Sequence, residues 1–269
     1  MRLRCFPGSF SNCPEVRCAS LGSGSRGNAT LVEEGQTRLL VDCGFSAKET
    51  RRRLALRNVV PESLSALLVT HEHGDHIGGV GVVARDLGLP VYITSGTLRA
   101  AQKRLGTLAN IKEFNAHESF GVGEIEVNPF PVPHDARDPA QFVFSNGDRS
   151  VGLLTDAGHI TRTIQEALKG VDYLMLEFNY ERDMLLNGSY PESLKARVDG
   201  DYGHLNNDQS AQLLRALDKQ RLCGVVALHL SSENNHPDKV RFHLSTALQG
   251  AEILQTVADQ EHGFDWVGI

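Results

Sequence analysis

Six consecutive residues, His71 to His76, hold four side chains of the types that bind metal ions. Their order is His-x-His-x-Asp-His. Imidazole and carboxylate groups suit Zn, Mn or Fe, and a catalytic zinc ion usually has three protein ligands and one position open to water. His71 and His73 can therefore share one metal ion, while Asp75 and His76 can begin a second site. A polar loop that is merely rich in histidine is the alternative.

The flanking residues predict how this cluster is positioned. An apolar, β-prone run, Ala66 to Val69, precedes it, and two glycines lead into a helix-compatible segment from Val80 to Leu87. We expect a buried strand, then a loop, then a helix N-terminus. A loop can turn several side chains towards one point, whereas a straight strand sends successive side chains to opposite faces.

Three later residues of ligand type each follow an apolar, strand-like run. They are His134 after residues 125–132, Asp156 after residues 151–155 and His229 after residues 224–228. Strand ends that meet at one edge of a sheet would gather these side chains with His71. The other histidines lack this placement and are expected at the surface or in packing roles, except for one considered below: His117, His159, His236, His243 and His262.

These seven side chains can be divided between two metal ions. Three imidazoles would hold the first ion, a mixed set would hold the second, and a carboxylate with two oxygens can bridge them. The sets are His71, His73 and His134; Asp75, His76 and His229; and Asp156 as the bridge. Two metal ions about 3.5–4 Å apart activate a bridging water and bind the oxygens of a phosphoryl group. Asp75 is predicted to be catalytic as well as a ligand.

Composition and charge exclude several classes of protein. The chain has 269 residues, of which 41% are hydrophobic and 22% charged, and its net charge is -6. These values are typical of a globular protein without a global basic field for nucleic acid. No apolar run approaches the roughly 18 residues that a membrane span needs, and Met1 to Ser11 lack the apolar core of a signal peptide. Five cysteines without zinc-ribbon spacing favour a reduced, cytoplasmic protein with no membrane contact.

The order of predicted elements indicates an α/β fold. Each half of the chain begins with hairpins and ends with alternating strands and helices, which predicts two packed mixed β-sheets with helices on both outer faces. Residues 16–269 would form one domain, and residues 1–15 a dispensable N-terminal extension. Ser46 is expected to cap a helix, with Glu49 completing a capping box, and Arg51 to Arg53 to form a solvated face of that helix.

The ordered ligand set resembles that of the metallo-β-lactamase superfamily over residues 16–269. This resemblance implies a four-layer αβ/βα sandwich, the metallo-β-lactamase fold, with the site at one edge of the two sheets. Four further segments resemble the YycJ/WalJ group of bacterial proteins, which is associated with 5′-to-3′ DNA exonuclease activity. They are residues 20–28, 155–158, 203–207 and 228–235.

His204 lies in a segment that is similar to one in RNase Z, where the histidine assists as a proton donor oriented by a glutamate at a strand end. Glu177, after the run Tyr173 to Leu176, occupies a matching place. A leaving alkoxide needs a proton, and a histidine of near-neutral pKa can supply it. A cap of the following helix is the alternative role for His204. No RNase Z tRNA-binding arm and no long β-CASP insertion are recognisable.

The Gly/Ser-rich residues 22–28 form either a plain hairpin linker or a nest of backbone N–H groups for phosphate. Together with the segment after His229 they favour a phosphodiester over a β-lactam substrate. The predicted substrate-binding residues are Ser25, Asn28, Ser231 and Asn234.

The sequence therefore favours a metal-dependent phosphodiesterase, most simply a DNA exonuclease with two divalent metal ions, Zn or Mn, with Fe as a third option. Local cations could attract phosphates; they are Arg26, Arg51 to Arg53, Arg99, Lys103 and Arg104. Aromatic residues, however, are only 6% of the chain and show no stacking platform.

Two alternatives to this function stay open. One is a small-molecule hydrolase, such as a cyclic or nucleotide phosphodiesterase, a lactonase or a weak β-lactamase, and the other is a non-catalytic metal-binding protein. The oligomeric state is also open, with a homodimer as one option.

Overall fold

The computed structural model describes residues 16–269. Within them two mixed β-sheets of seven strands each pack face to face, and helices cover both outer faces. The predicted α/β fold, a four-layer αβ/βα sandwich, is therefore confirmed. The extension expected at residues 1–15 lies outside the described residues, and a single domain over residues 16–269 stays a prediction.

The first sheet joins antiparallel strands to parallel ones. Its spatial order is β14 (Phe264–Gly268), β1 (Arg17–Gly22), β2 (Ala29–Glu34), β3 (Thr37–Val41), β4 (Ala66–Leu68), β5 (Val91–Thr94) and β6 (Ile111–Phe114), numbered in chain order. Neighbours are antiparallel from β14 to β3 and parallel from β3 to β6. The last strand of the chain thus returns to the first sheet and pairs with β1.

The second sheet has the same arrangement. Its spatial order is β13 (Leu254–Val257), β12 (Gly224–Leu228), β11 (Tyr173–Glu177), β10 (Ser150–Leu154), β9 (Ala140–Ser145), β8 (Ile125–Pro131) and β7 (Phe120–Val122). The strands from β13 to β10 are parallel and those from β10 to β7 antiparallel. The sequence did not predict β7, because three residues are too few to show an alternating pattern.

Helices connect the parallel strands and cover the sheets. They are α1 (Ala47–Leu56), α2 (Gly74–Ile77), α3 (Val80–Leu87), α4 (Ser95–Leu105), α5 (Arg162–Ala167), α6 (Arg182–Asn187), α7 (Glu192–Val198), α8 (Asn207–Ala216) and α9 (Pro237–Ala247), with a 3₁₀ turn at Pro61–Ser63. The prediction of a loop throughout the histidine cluster was wrong, because α2 forms one helical turn there. The carbonyl of His73 accepts hydrogen bonds from the amides of His76 and Ile77. No helix of residues 16–269 combines the length and the apolarity needed to cross a membrane.

Strand side chains alternate between the inter-sheet core and an outer core, as the pleat of a β-strand requires. On β3, Leu39 and Val41 pack between the sheets, whereas Leu40 packs beneath the helices of the first sheet. On β4, Leu67 packs outward and Leu68 inward. Both faces of these strands are buried, which explains their continuous apolar sequences.

The helix α1 corrects two predictions. Ser46 caps it by accepting a hydrogen bond from the amide of Glu49, but the Glu49 carboxylate binds Arg52 and Arg53 instead of completing a capping box. Arg53 is buried rather than solvated: its guanidinium donates to the carbonyls of Leu21 and of residues 260 and 261 and lies 4.1 Å from the centre of the Phe45 ring. The covering loop is some two hundred positions away in sequence, so local patterning could not indicate this burial.

Candidate metal centre

The seven side chains predicted as metal ligands lie together at one end of the two sheets. They come from the segments that follow β4, β8, β10 and β12, and from α2. Together with Glu177 and His204 they form overlapping groups, and within each group all ligand atoms are within 4.8 Å of one another. The groups are His71, His73 and His134; His71, His76 and Asp156; Asp75, His76 and His229; and Asp156, Glu177, His204 and His229.

Three imidazoles of the first group meet at one point. His73 Nδ1 lies 3.0 Å from His71 Nε2 and 3.2 Å from His134 Nε2. This spacing is close to the roughly 3.3 Å between two nitrogens of a tetrahedral zinc site with Zn–N bonds of about 2.0–2.1 Å. His71 is fully buried, whereas the His73 side chain is 27% exposed, so His73 marks the side on which the centre opens to solvent.

The partners of the outer ring nitrogens indicate where the protons lie. His134 Nδ1 is 3.0 Å from the carbonyl of Gly203, which can only accept. His71 Nδ1 is 3.0 Å from Thr70 Oγ1, and that hydroxyl donates its own hydrogen to Asp42. Both imidazoles therefore carry the proton on Nδ1 and direct the Nε2 lone pair towards His73. Converging lone pairs repel one another unless a cation lies between them.

The second group contains a buried nitrogen that makes no hydrogen bond to any described residue. His76 Nε2 and His229 Nε2 lie 3.5 Å and 3.6 Å from Asp75 Oδ2. His229 Nε2 is buried and makes no hydrogen bond within residues 16–269. A buried polar atom without a partner is costly, and a metal ion is the partner that this set of two imidazoles and a carboxylate fits.

Asp156 lies between the two groups. Its Oδ2 is 3.0 Å from His76 Nε2, and its Oδ1 is 3.2 Å from His229 Nδ1. The backbone at Asp156, at His229 and at Asp42 has positive φ, of 48°, 55° and 60°. Residues other than glycine rarely adopt this conformation, and strain of this kind concentrates at functional sites.

His204 and Glu177 form a pair beside the ligands. His204 Nδ1 is 2.8 Å from Glu177 Oε1 and 3.3 Å from Asp156 Oδ1. Glu177 Oε1 also lies 3.2 Å from His229 Nδ1, and its Oε2 accepts the amides of Ala157 and residue 205. Glu177 is fully buried, whereas the His204 side chain is 22% exposed. Since Glu177 accepts the Nδ1 proton, His204 has its Nε2 available for a substrate.

The pKa values divide the histidines into two sets. Burial and the neighbouring His76 lower the pKa of His71, and burial likewise lowers the pKa of His134. Burial also acts against charge on His76 and His229, but nearby carboxylates, Asp156 first among them, raise the pKa of His76 well above its ordinary value and that of His229 to about 10. In the metal-free protein these two imidazoles therefore hold protons that a metal ion must displace.

The neighbouring imidazoles lower the pKa values of the buried carboxyl groups. Burial favours their neutral form, yet the imidazoles of His229 and His76 hold the pKa of Asp156 well below its usual range. His204 lowers the pKa of Glu177 despite the full burial of that carboxyl. The centre therefore presents ionised carboxylates that are largely buried, and such groups attract cations strongly.

Asp42 is a further candidate site residue, one that was not predicted from the sequence. Its carboxylate accepts hydrogen bonds from His76 Nδ1 at 2.7 Å and from the amide and the hydroxyl of Thr70 at 2.9 and 2.8 Å. Metal-binding histidines commonly donate their second ring nitrogen to such a carboxylate. The sequence does contain a pattern that could have identified Asp42, because this residue follows the apolar strand β3 just as His229 follows β12.

The loop between β1 and β2 approaches the ligands through Asn28. Asn28 Nδ2 lies 3.0 Å from His76 Nε2 and 3.3 Å from Asp75 Oδ2, and its backbone amide donates to the carbonyl of Asp75. Ser25 is exposed in the same loop, and no contact described for residues 16–269 links its side chain to the ligands. The loop thus supports the ligand cluster, and substrate contacts of both residues stay predictions.

The segment after His229 forms a hydrogen-bonded turn. Ser231 Oγ accepts the amides of Glu233 and Asn234, and the carbonyl of Asn234 accepts the amide of Glu181. Ser231 and Asn234 are both buried. Their described contacts are those of a turn, and a role in substrate binding stays a prediction.

Comparisons with known proteins agree with this geometry. Residues 37–225 match the beta-lactamase superfamily domain. Exodeoxyribonuclease YycJ of Bacillus anthracis is 35% identical over 231 residues, which are 85% of this chain and 88% of that protein. Exodeoxyribonuclease WalJ of Streptococcus pneumoniae serotype 2 (strain D39 / NCTC 7466) is 35% identical over 237 residues, 87% of this chain and 88% of that protein.

A shorter match and a solved structure complete the comparison. Ribonuclease Z of Mycobacterium sp. (strain KMS) is 37% identical over 90 residues, 34% of this chain and 27% of that protein. The crystal structure of the metallo-beta-lactamase fold protein YhfI from Bacillus subtilis matches with a TM-score of 0.72 at 18% identity, covering 95% of this chain and all of that one. The resemblances to the superfamily, to the YycJ/WalJ group and to ribonuclease Z are therefore confirmed.

Proposed function

Since the chain belongs to the beta-lactamase superfamily and is a hydrolase of the metallo-beta-lactamase fold, we propose that it cleaves phosphodiester bonds in DNA as an exonuclease with two divalent metal ions. The observation that carries this proposal is the placement of His204 beside the ligand cluster. Held by Glu177 and partly exposed, it would serve as the proton donor for a leaving oxygen.

The ligands divide between the two ions as their contacts suggest. His71, His73 and His134 would hold one ion, Asp75, His76 and His229 the other, and Asp156 would contact both. The mixture of imidazole and carboxylate suits Zn or Mn, with Fe as a third option. When bound, two such ions lower the pKa of a water molecule between them. Their positive charge also stabilises the phosphoryl oxygens during displacement.

The chain's own residues would position the reacting groups. Asp42 holds the His76 proton on Nδ1, so that Nε2 would be the atom that binds the second ion. Glu177 accepts the Nδ1 proton of His204, which in its protonated form would give the Nε2 proton to the departing sugar oxygen. Asp75, whose carboxylate is partly exposed at the opening, is the ligand best placed to orient the attacking water.

The proposed substrate class rests on the relatives. Two proteins named as exodeoxyribonucleases are 35% identical along most of their own length and of this chain. Their similarity favours DNA over a β-lactam or a small ester. The net charge of -6 implies that the strand is held by local contacts near the opening rather than by a broad basic surface.

Digestion of end-labelled strands tests this function. The metal-free protein is supplied with Zn, Mn or Mg and incubated with single- and double-stranded DNA and RNA that carry a label at the 5′ or the 3′ end. We expect progressive shortening of DNA from one end. Asp156→Ala is the inactive control, because it removes the carboxylate between the two ligand groups.

Two results would contradict the proposed exonuclease function. Hydrolysis of bis-p-nitrophenyl phosphate without digestion of any strand would replace the exonuclease with a small-molecule phosphodiesterase. Absence of hydrolysis with each metal ion in turn would overturn the proposal that this centre cleaves phosphodiester bonds.

A further inference from the structure

The opening of the centre is edged by three partly exposed ligand-cluster residues. His73, Asp75 and His204 have side chains that are 27%, 24% and 22% exposed, whereas His71 and His76 are fully buried. A substrate must therefore approach across these three residues. Side chains that surround them are the ones that can contact parts of a substrate beyond the reacting phosphate.

Arg104, at the end of α4, borders this opening. Its Nη1 would lie 2.9 Å from a Cβ placed on Gly74, the residue between His73 and Asp75. The side chain is exposed, and among residues 16–269 it has no hydrogen bond and no ion pair. An arginine beside a ligand cluster and without a partner is free to bind an anion in bidentate fashion.

Arg197, on α7, borders the same opening from another element. Its Nε lies 2.5 Å from Asp135 Oδ2, and Asp135 Oδ1 lies 3.5 Å from His73 Nε2. The Arg197 side chain remains 59% exposed, so most of its guanidinium donors face solvent. Arg104 and Arg197 thus flank His73, one through Gly74 and the other through Asp135.

Tyr202 adds an aromatic surface to these cations. It lies two residues before His204, and its carbonyl accepts the amide of Asp135, the residue after His134. Tyr202 is 62% exposed, and no contact of its ring or hydroxyl is described within residues 16–269. Cationic side chains next to an exposed aromatic ring are the combination that proteins use to bind single-stranded nucleic acid, with phosphates on the cations and a base stacked on the ring.

We infer that Arg104, Arg197 and Tyr202 form a binding rim for a single DNA strand, with the two arginines on phosphates next to the scissile one and Tyr202 against a base. This inference rests on the proposed function and deepens it. It also revises the expectation that the chain offers no aromatic stacking surface. Of the phosphate contacts predicted at Arg51 to Arg53, Arg53 is not available, because its guanidinium is buried and donates to backbone carbonyls.

Equilibrium binding tests the rim without turnover. The metal-loaded protein is titrated into a fluorescent single strand whose phosphorothioate linkages resist hydrolysis, and anisotropy is followed at several salt concentrations. The variants are Arg104→Gln, Arg197→Gln, Arg197→Lys and Tyr202→Ala. The matched control is Arg241→Gln, on α9, whose arginine is similarly exposed and paired with an aspartate.

We expect Arg104→Gln, Arg197→Gln and Tyr202→Ala each to weaken binding about tenfold, with metal content and Tm as in the unaltered protein. Each arginine removed should reduce the slope of log Kd against log salt by about 0.7, and Arg197→Lys should restore most of that slope. Arg241→Gln should bind normally. Binding and slopes equal to those of the unaltered protein in both glutamine variants would overturn the rim. Failure of the unaltered protein to shorten a natural strand would overturn the exonuclease function separately.

Discussion

Asp42 Oδ2 lies 2.7 Å from Nδ1 of His76, and both side chains are almost completely buried. The carboxylate accepts the Nδ1 proton and leaves Nε2 facing Asp156 and Asp75. Asp42 therefore fixes a proton on Nδ1 of His76 and leaves Nε2 as the predicted metal-binding atom. It does so from the position directly after β3, a strand that contributes none of the seven predicted ligands.

Replacement of Asp42 by asparagine should weaken binding of one metal ion. The asparagine oxygen can keep a bond to Thr70, but its amide group then meets the Nδ1 proton of His76 and favours the tautomer with its proton on Nε2. We expect a loss of about 10- to 100-fold in affinity at one site, measured by titration against a chelating dye. Asp238→Asn, at an exposed aspartate of α9, is the control, and two unaltered affinities in Asp42→Asn would contradict this role.

His204→Ala should lower turnover without loss of metal. The expected decrease is about 10²- to 10⁴-fold in kcat, the usual contribution of a positioned acid or base, with metal content measured on the same sample. Loss of one metal ion on His204→Ala would instead make His204 a ligand, a possibility that its position in a group with Asp156, Glu177 and His229 leaves open.

Glu177→Gln should differ from His204→Ala in its effect on metal. Glu177 contacts both His204 and His229, so the glutamine variant should lower turnover and also weaken the ion bound through His229. Metal affinity and kcat are measured together, and the two effects separate the positioning of the acid from the positioning of the ligand. Full metal affinity in Glu177→Gln would show that its contact with His229 does not support metal binding.

The residue types and the strand ends were enough to predict that these seven side chains meet at one end of the sheets, because metal chemistry restricts the side chains and apolar strands restrict their positions. Their role as metal ligands stays a prediction. Asp42 also follows a strand, but its contacts with His76 and Thr70 join residues about thirty positions apart, and no local pattern indicates them. The burial of Arg53 and the approach of Asn28 to His76 depend on segments distant in sequence. Such contacts arise from the packing of the sheets, which local patterns do not encode.

The metal-free protein should lose stability as the pH rises from about 6.5 towards 10. The pKa of His229 is raised from 6.5 to about 10 on folding, so its contribution is fully present below pH 6.5 and is lost as the pH passes through the folded value. The slope from one such group is at most about 1.4 kcal/mol per pH unit. Urea unfolding at pH 6.5, 8 and 9.5 measures it.

The metal-loaded protein supplies the comparison for this pH dependence. A bound ion takes the place of the proton, so the loss of unfolding free energy over the same pH range should be smaller. His229→Gln should flatten the metal-free profile. An unfolding free energy of the metal-free protein that stays constant or increases with pH would show that His229 is not stabilised in its charged form.

Gly44→Ala should disturb the centre from outside it. A Cβ at Gly44 would lie 1.8 Å from the carbonyl oxygen of Asp75, and that carbonyl accepts the amide of Asn28. The backbone cannot yield without moving Asp75, so we expect a loss of about 1–3 kcal/mol in unfolding free energy together with weaker metal binding. Gly121→Ala is the matched control, because no heavy atom lies within 4 Å of its added Cβ. Equal Tm and equal metal affinity in the two variants would mean that the cluster tolerates displacement of Asp75.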